Sequence, residues 1–97
     1  MSFTIGSYVE ILEKPEGYFD VTIGTLGKVK SDKWLASQGI YCVDVFDSEE
    51  RGCLNLNFEP YQLRAVTPEE ISASPDWTIQ REMLDEYEKQ MTLQGIR

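Results

Sequence analysis

Few residues in this chain could do chemistry. Its 97 residues include no histidine and two cysteines, Cys42 and Cys53. Without histidine, Ser–His and Cys–His nucleophile pairs are excluded. Two cysteines alone fall short of a structural zinc site. The nearest carboxylate pair, Glu49-Glu50, sits in the polar stretch Asp47-Ser48-Glu49-Glu50-Arg51-Gly52. That stretch reads as a solvated turn, which does not move a carboxyl group into a catalytic range. Gly24-Thr25-Leu26-Gly27 has two glycines but neither a helix start nor a following Lys-Ser/Thr, so it is no phosphate loop. Lys28, Lys30 and Lys33 read as solvating charges on an edge strand. The expectation is recognition rather than catalysis: no enzyme, no cofactor and no metal.

Recognition needs exposed side chains, and the candidates come from two places. Trp34 lies in a loop, and Asp44, Phe46 and Asn55 fall on the outward face of a hairpin. Met83, Tyr87 and Met91 belong to the apolar stripe of a C-terminal helix, where methionine suits an adaptable interface. Other aromatics, among them Tyr8, Tyr18, Phe19, Tyr61 and Trp77, read as caps for the core or as a surface under the helix.

The hairpin spans Tyr41 to Phe58. Tyr41, Val43 and Val45 share one parity, as do Leu54, Leu56 and Phe58. If Phe46 pairs with Cys53, then Val45 faces Leu54, Val43 faces Leu56 and Tyr41 faces Phe58. A slip of one residue would turn that apolar face to water. The same register sets Cys42 opposite Asn57, four residues along the ladder from Cys53. At the usual strand rise that is about 13 Å, beyond disulfide reach. Reduced thiols are therefore expected.

The other elements follow from turn residues and periodicity. A first strand covers residues 7–13, with Val9 and Ile11 inward. A loop at Lys14-Pro15-Glu16-Gly17 and an apolar patch of Tyr18, Phe19 and Val21 come next. A second strand covers 23–30, where two glycines suggest a bend or bulge. The loop at 31–39 carries a helical turn around Trp34 and Leu35. After a turn at Glu59-Pro60-Tyr61-Gln62, a fifth strand covers 63–66. Five short strands of this kind predict a mainly β fold, a small, partly open, SH3-like barrel over residues 1–66. Thr67-Pro68-Glu69-Glu70 is a capping box, and Ser74-Pro75-Asp76 repeats the cap-then-proline signal. An amphipathic helix follows to about Gln94, its apolar stripe made by Ile79, Met83, Leu84, Tyr87 and Met91. This extension, residues 67–97, either packs on its own barrel or docks on a partner, including a second copy in a homodimer.

The net charge is −8. Residues 1–66 hold 10 acidic and 6 basic side chains, and residues 67–97 hold 7 and 3, so the acidity is general. It argues against nucleic acid, whose phosphates need a basic surface. No apolar run is long enough to span a bilayer, and the start lacks the pattern of a signal peptide. A protein partner and a cytoplasmic location are expected.

Several segments in order resemble one family. Gly6-Ser7-Tyr8-Val9-Glu10-Ile11-Leu12, followed by Glu16 and Tyr18, is similar to the opening of photosystem I subunit IV (PsaE). Ile23-Gly24-Thr25-Leu26, Tyr41-x-Val43-x-Val45-Phe46 and Asn55-x-Asn57-Phe58 with Leu63 look like its later segments. The resemblance covers about residues 5–66. It implies the SH3-like barrel of electron-transport accessory proteins and a non-catalytic subunit docked on a redox or photosynthetic assembly. That family usually lacks a helix like residues 75–94, and it docks acidic ferredoxin with a basic surface. The alternative is a small acidic inhibitor of phage or plasmid type that blocks a nucleic-acid enzyme.

Overall fold

A computed structural model describes residues 2–15, 17 and 21–95, with side chains as far as Met91. Glu16, Tyr18 and Phe19 lie outside the described residues. The strands are β1 (Tyr8–Ile11), β2 (Leu26–Ser31), β3 (Tyr41–Ser48), β4 (Gly52–Phe58) and β5 (Leu63–Ala65). A short helix α1 (Leu35–Gln38) separates β2 from β3, and a 3-10 turn (Pro60–Gln62) separates β4 from β5. Helices α2 (Pro68–Ala73) and α3 (Pro75–Gly95) complete the chain. The strands form one antiparallel sheet in the order β4-β3-β2-β1-β5, curled into a partly open SH3-like barrel.

The hairpin has the expected register: Phe46 pairs with Cys53, Val45 with Leu54, Val43 with Leu56 and Tyr41 with Phe58. Tyr41, Val43, Val45, Leu56 and Phe58, with Val9, Ile11, Val29 and Leu63, fill the inner core, and Leu54 packs against it. Phe3 closes one end. Its ring meets Tyr41 edge-on at 5.4 Å, and its backbone N–H donates to the Tyr41 hydroxyl at 3.0 Å.

The second strand departs from expectation. It begins at Leu26, and Ile23 is a half-exposed turn residue. Gly24 makes that turn with a φ of +91°, which a side chain disfavours. Gly27 is not a bulge. A Cβ there would lie 2.8 Å from Val43 Cγ1 and 3.2 Å from the Asp44 carbonyl, so glycine permits the close approach of β2 to β3. The register irregularity falls between Val29 and Ser31 instead.

The larger departure concerns the outer face of the sheet. Asp44 and Phe46 point outward, as the register requires, but neither is a surface residue. Helix α3 crosses β2, β3 and β4 and buries them. Asp44 is 1% exposed and Phe46 joins a second core made by Leu26, Val66, Ile71 and Leu84, with Tyr8, Cys53 and Trp77 packed against it. The helix therefore covers a face rather than an end of the barrel. It does so along the line Trp77–Gln80–Leu84–Tyr87, spaced three and four residues apart. Of the expected apolar stripe, Leu84 is fully buried, Met83 and Tyr87 are half-buried, and Ile79 and Met91 are exposed.

Polar bonds fix the helices on this face. Gln80 Oε1 accepts the Leu26 N–H at 2.8 Å, and Trp77 Nε1 donates to the Gly24 carbonyl at 2.9 Å. Lys28 Nζ reaches Asp85 and Glu88, both at 3.2 Å, and the Tyr8 hydroxyl donates to Asp85. Arg64 bridges Glu10 at 2.8 Å and Glu70 at 2.9 Å. Glu70 thus gives its N–H to the Thr67 cap while its carboxylate turns to Arg64, which leaves the expected capping box half-made.

Candidate functional site

The sequence-predicted site residues separate into three groups. Asp44 and Phe46 of β3 and Met83 and Tyr87 of α3 lie at the interface of the sheet with the helix, Asp44 buried and the other three half-buried. There the Asn55 amide donates to Asp44 Oδ1 at 2.9 Å, and Cys53 Sγ approaches the Met83 carbonyl at 3.8 Å. Burial pushes the Cys53 thiol from 9.0 up to about 11, aided by the charges of Asp44 and Asp47. Burial likewise raises the Tyr87 phenol, helped by Asp44 and Cys53. These shifts belong to an intramolecular interface and mark no reactive group. Trp34 and Met91 stand apart from it and from each other, 41% and 39% exposed. The Trp34 ring carries the Lys33 ammonium 5.3 Å from its centroid. Asn55 alone belongs to a surface hollow.

That hollow is a cleft of about 590 Å³ that the residue patterns do not announce. One wall is Asn55, Leu56 and Asn57 of β4. The opposite wall is Glu13, Lys14 and Pro15 after β1, and one end is closed by Glu59, Tyr61 and Gln62 of the 3-10 turn. Successive strand residues point to opposite faces of a sheet. A cleft lined by three in a row therefore runs along the strand's edge. β4 is a terminal strand in the sheet order, so this is the side at which the barrel stays open.

Local bonds hold the walls apart. Gln62, nearly buried, accepts the Glu59 N–H at 2.8 Å through Oε1 and donates from Nε2 to the Lys14 carbonyl at 3.1 Å. Its own carbonyl accepts the Leu12 N–H at 2.8 Å. One side chain and its backbone thus tie the 3-10 turn to the loop across the cleft. Asn55 and Asn57 turn back toward β3, to Asp44 at 2.9 Å and to Cys42 Sγ at 3.2 Å. One polar end of each carboxamide is thus engaged, while the outer backbone edge of β4 makes no hydrogen bond among the described residues.

The cleft is amphipathic. Pro15 and Leu56 are buried within it, and Ile40 is half-buried. Glu13 and Glu59 are exposed at its rim, and Tyr61 is 62% exposed. A hydrogen bond to Glu59, reinforced by that carboxylate's charge, holds the Tyr61 phenol above its ordinary value of 10.0. A smaller hollow of about 300 Å³ lies between residues 22–25 and the start of α3, but Trp77 and Gln80 already spend their polar groups there on the backbone.

Two of the three lysines are drawn to different partners. Lys28 is drawn under α3 by two carboxylates, and Lys33 lies by Trp34. Burial alone would lower the Lys28 pKa, but the bonds to Glu88 and Asp85 raise it on balance. No group of metal-ligating side chains occurs among the described residues, and no described helix is long and apolar enough to cross a membrane. No family model, curated protein or solved structure matches the chain.

Proposed function

We propose that this chain is a non-catalytic accessory module that binds another protein, its cleft along β4 being the binding site. The observation that carries this reading is the open sheet edge lying beside an amphipathic cleft with an exposed tyrosine at its rim. Carboxamides, carboxylates and an aromatic ring are groups of recognition. The resemblance of residues 5–66 to photosystem I subunit IV supports a place beside a redox or photosynthetic complex, as a subunit or assembly factor. The alternative of an acidic inhibitor of a nucleic-acid enzyme gains nothing from the placement of the exposed carboxylates. They are shared among the loop at Glu13, the hairpin tip at Glu49 and Glu50, α2 at Glu69, and α3 at Glu82 and Glu86.

Affinity purification of the tagged chain from its native cells tests the reading. A protein partner in stoichiometric amount is expected, and it should rebind the purified chain. Recovery of the chain alone, together with turnover of a small molecule, would overturn it.

A further inference from the structure

The two free edges of the sheet are guarded very differently. β5 is three residues long and carries Arg64, which is held in two ion pairs. β4 is seven residues long, Gly-Cys-Leu-Asn-Leu-Asn-Phe, with no charged residue and no proline. Long uncharged edges are templates for another strand, and folded proteins usually blunt them with lysine, proline or a covering segment. β4 carries no lysine or proline, and among the described residues no segment pairs with its outer edge. Instead the edge opens onto a cleft with an apolar floor at Leu56 and Ile40 and carboxylates at Glu13 and Glu59.

Resting on the protein-binding reading above, we infer that the cleft takes an extended, lysine- or arginine-bearing peptide segment of the partner, added as a sixth strand on β4. The backbone of the guest would use the outer N–H and C=O groups of β4, which have no partner among the described residues. Alternate guest side chains would enter the apolar floor, and the basic ones between them would meet Glu13 and Glu59. Lys14 on the same wall sets a limit: the complementarity comes from two carboxylates at the rim and a chain of net charge −8, so the attraction is moderate and sensitive to salt.

The test uses the full chain and a ten-residue peptide alternating lysine and valine, acetylated and amidated at its ends. Titration followed by amide NMR should shift residues 13, 14, 55–57, 59, 61 and 62 and protect β4 amides from exchange. Methylating alternate peptide nitrogens on the bonding edge leaves charge and side chains intact and should abolish binding. Replacing Glu13 and Glu59 together by lysine should weaken it about tenfold, as two rim charges reversed would. Equal binding of the methylated peptide, shifts centred on α3 or Trp34, or no binding at millimolar peptide would each overturn the inference. If the native partner still binds when the peptide fails, strand addition is wrong and the protein-binding reading stands. If neither binds, both fall.

Discussion

The inner and outer faces of this sheet are both buried, but by different physics. The inner face is closed by repetition. Val43, Val45, Leu56, Phe58 and their neighbours are apolar at every second position, and shape alone brings them together. The outer face is closed by exceptions. Under α3 the contacts are Leu84 and Trp77, but also Gln80 to a backbone amide, Lys28 between two carboxylates, and a buried Asp44. Where a pattern repeats, any one member is supported by the rest. Where each bond is placed singly, each can be removed singly.

The largest expected effect is on the inner face. Val43→Asp places an unpaired charge at a fully buried position. It should cost on the order of 4 kcal/mol or more, enough to unfold a domain of this size. Circular dichroism showing a folded Val43→Asp protein would mean the two faces are not distinct in this way. Leu84→Ala opens a cavity in the outer core, with an expected loss of about 2–4 kcal/mol. Its sharper readout is regional: NMR should show α3 resonances losing dispersion while the amides of β3 and β4 keep theirs. If both regions melt together, the outer face is as integral as the inner.

Gln80→Ala is smaller again. It strands the Leu26 N–H, and an unmade buried hydrogen bond costs about 1–3 kcal/mol. Chemical denaturation should resolve this, and Gln80→Glu should recover part of it, because its carboxylate oxygen can still accept. The smallest effect comes from pH. The Cys53 thiol is raised from 9.0 to about 11, and the Tyr8 phenol, by burial and then by its bond to Asp85, from 10.0 to about 12. Both groups are neutral when protonated, and the unfolded chain loses these protons first. Stability is therefore unaffected below pH 9 and falls as pH rises through 9 to 12. Denaturant midpoints at pH 8 and pH 11 should differ in that direction, and the difference should shrink in a Cys53→Ala, Tyr8→Phe protein, the remainder coming from the raised Tyr87 and Lys28. A midpoint unchanged with pH would separate these groups from the stability of the outer face.

The same division decided what could be read from the sequence. The hairpin register was legible to the residue because a period of two leaves only one pairing that hides every apolar side chain. The caps at Thr67 and Ser74 were legible because capping residues act locally. Asp44 and Phe46 were misread as surface residues, since parity gives the face of a strand but not what covers it. The helix register was misjudged for a related reason: Gln80 lies on the buried line through its amide, while apolar Ile79 and Met91 are left outside. The cleft drew its walls from three separated segments tied by Gln62, and no spacing rule connects residues 13, 56 and 61. One signal was available, the absence of charge and proline from Gly52 to Phe58, and it has meaning only once β4 is known to be an edge.

Cys53 gives the docked helix a built-in reporter. Its sulfur lies 3.8 Å from the Met83 carbonyl, and at neutral pH little of it is thiolate, the form that reacts with alkylating agents. Modification is slowed while α3 is docked and speeds up when the helix lifts and the thiol meets bulk water. Cys53 is half-buried when α3 is docked, so a variant that loosens the helix should speed its alkylation above that slow background, without any label having to be introduced.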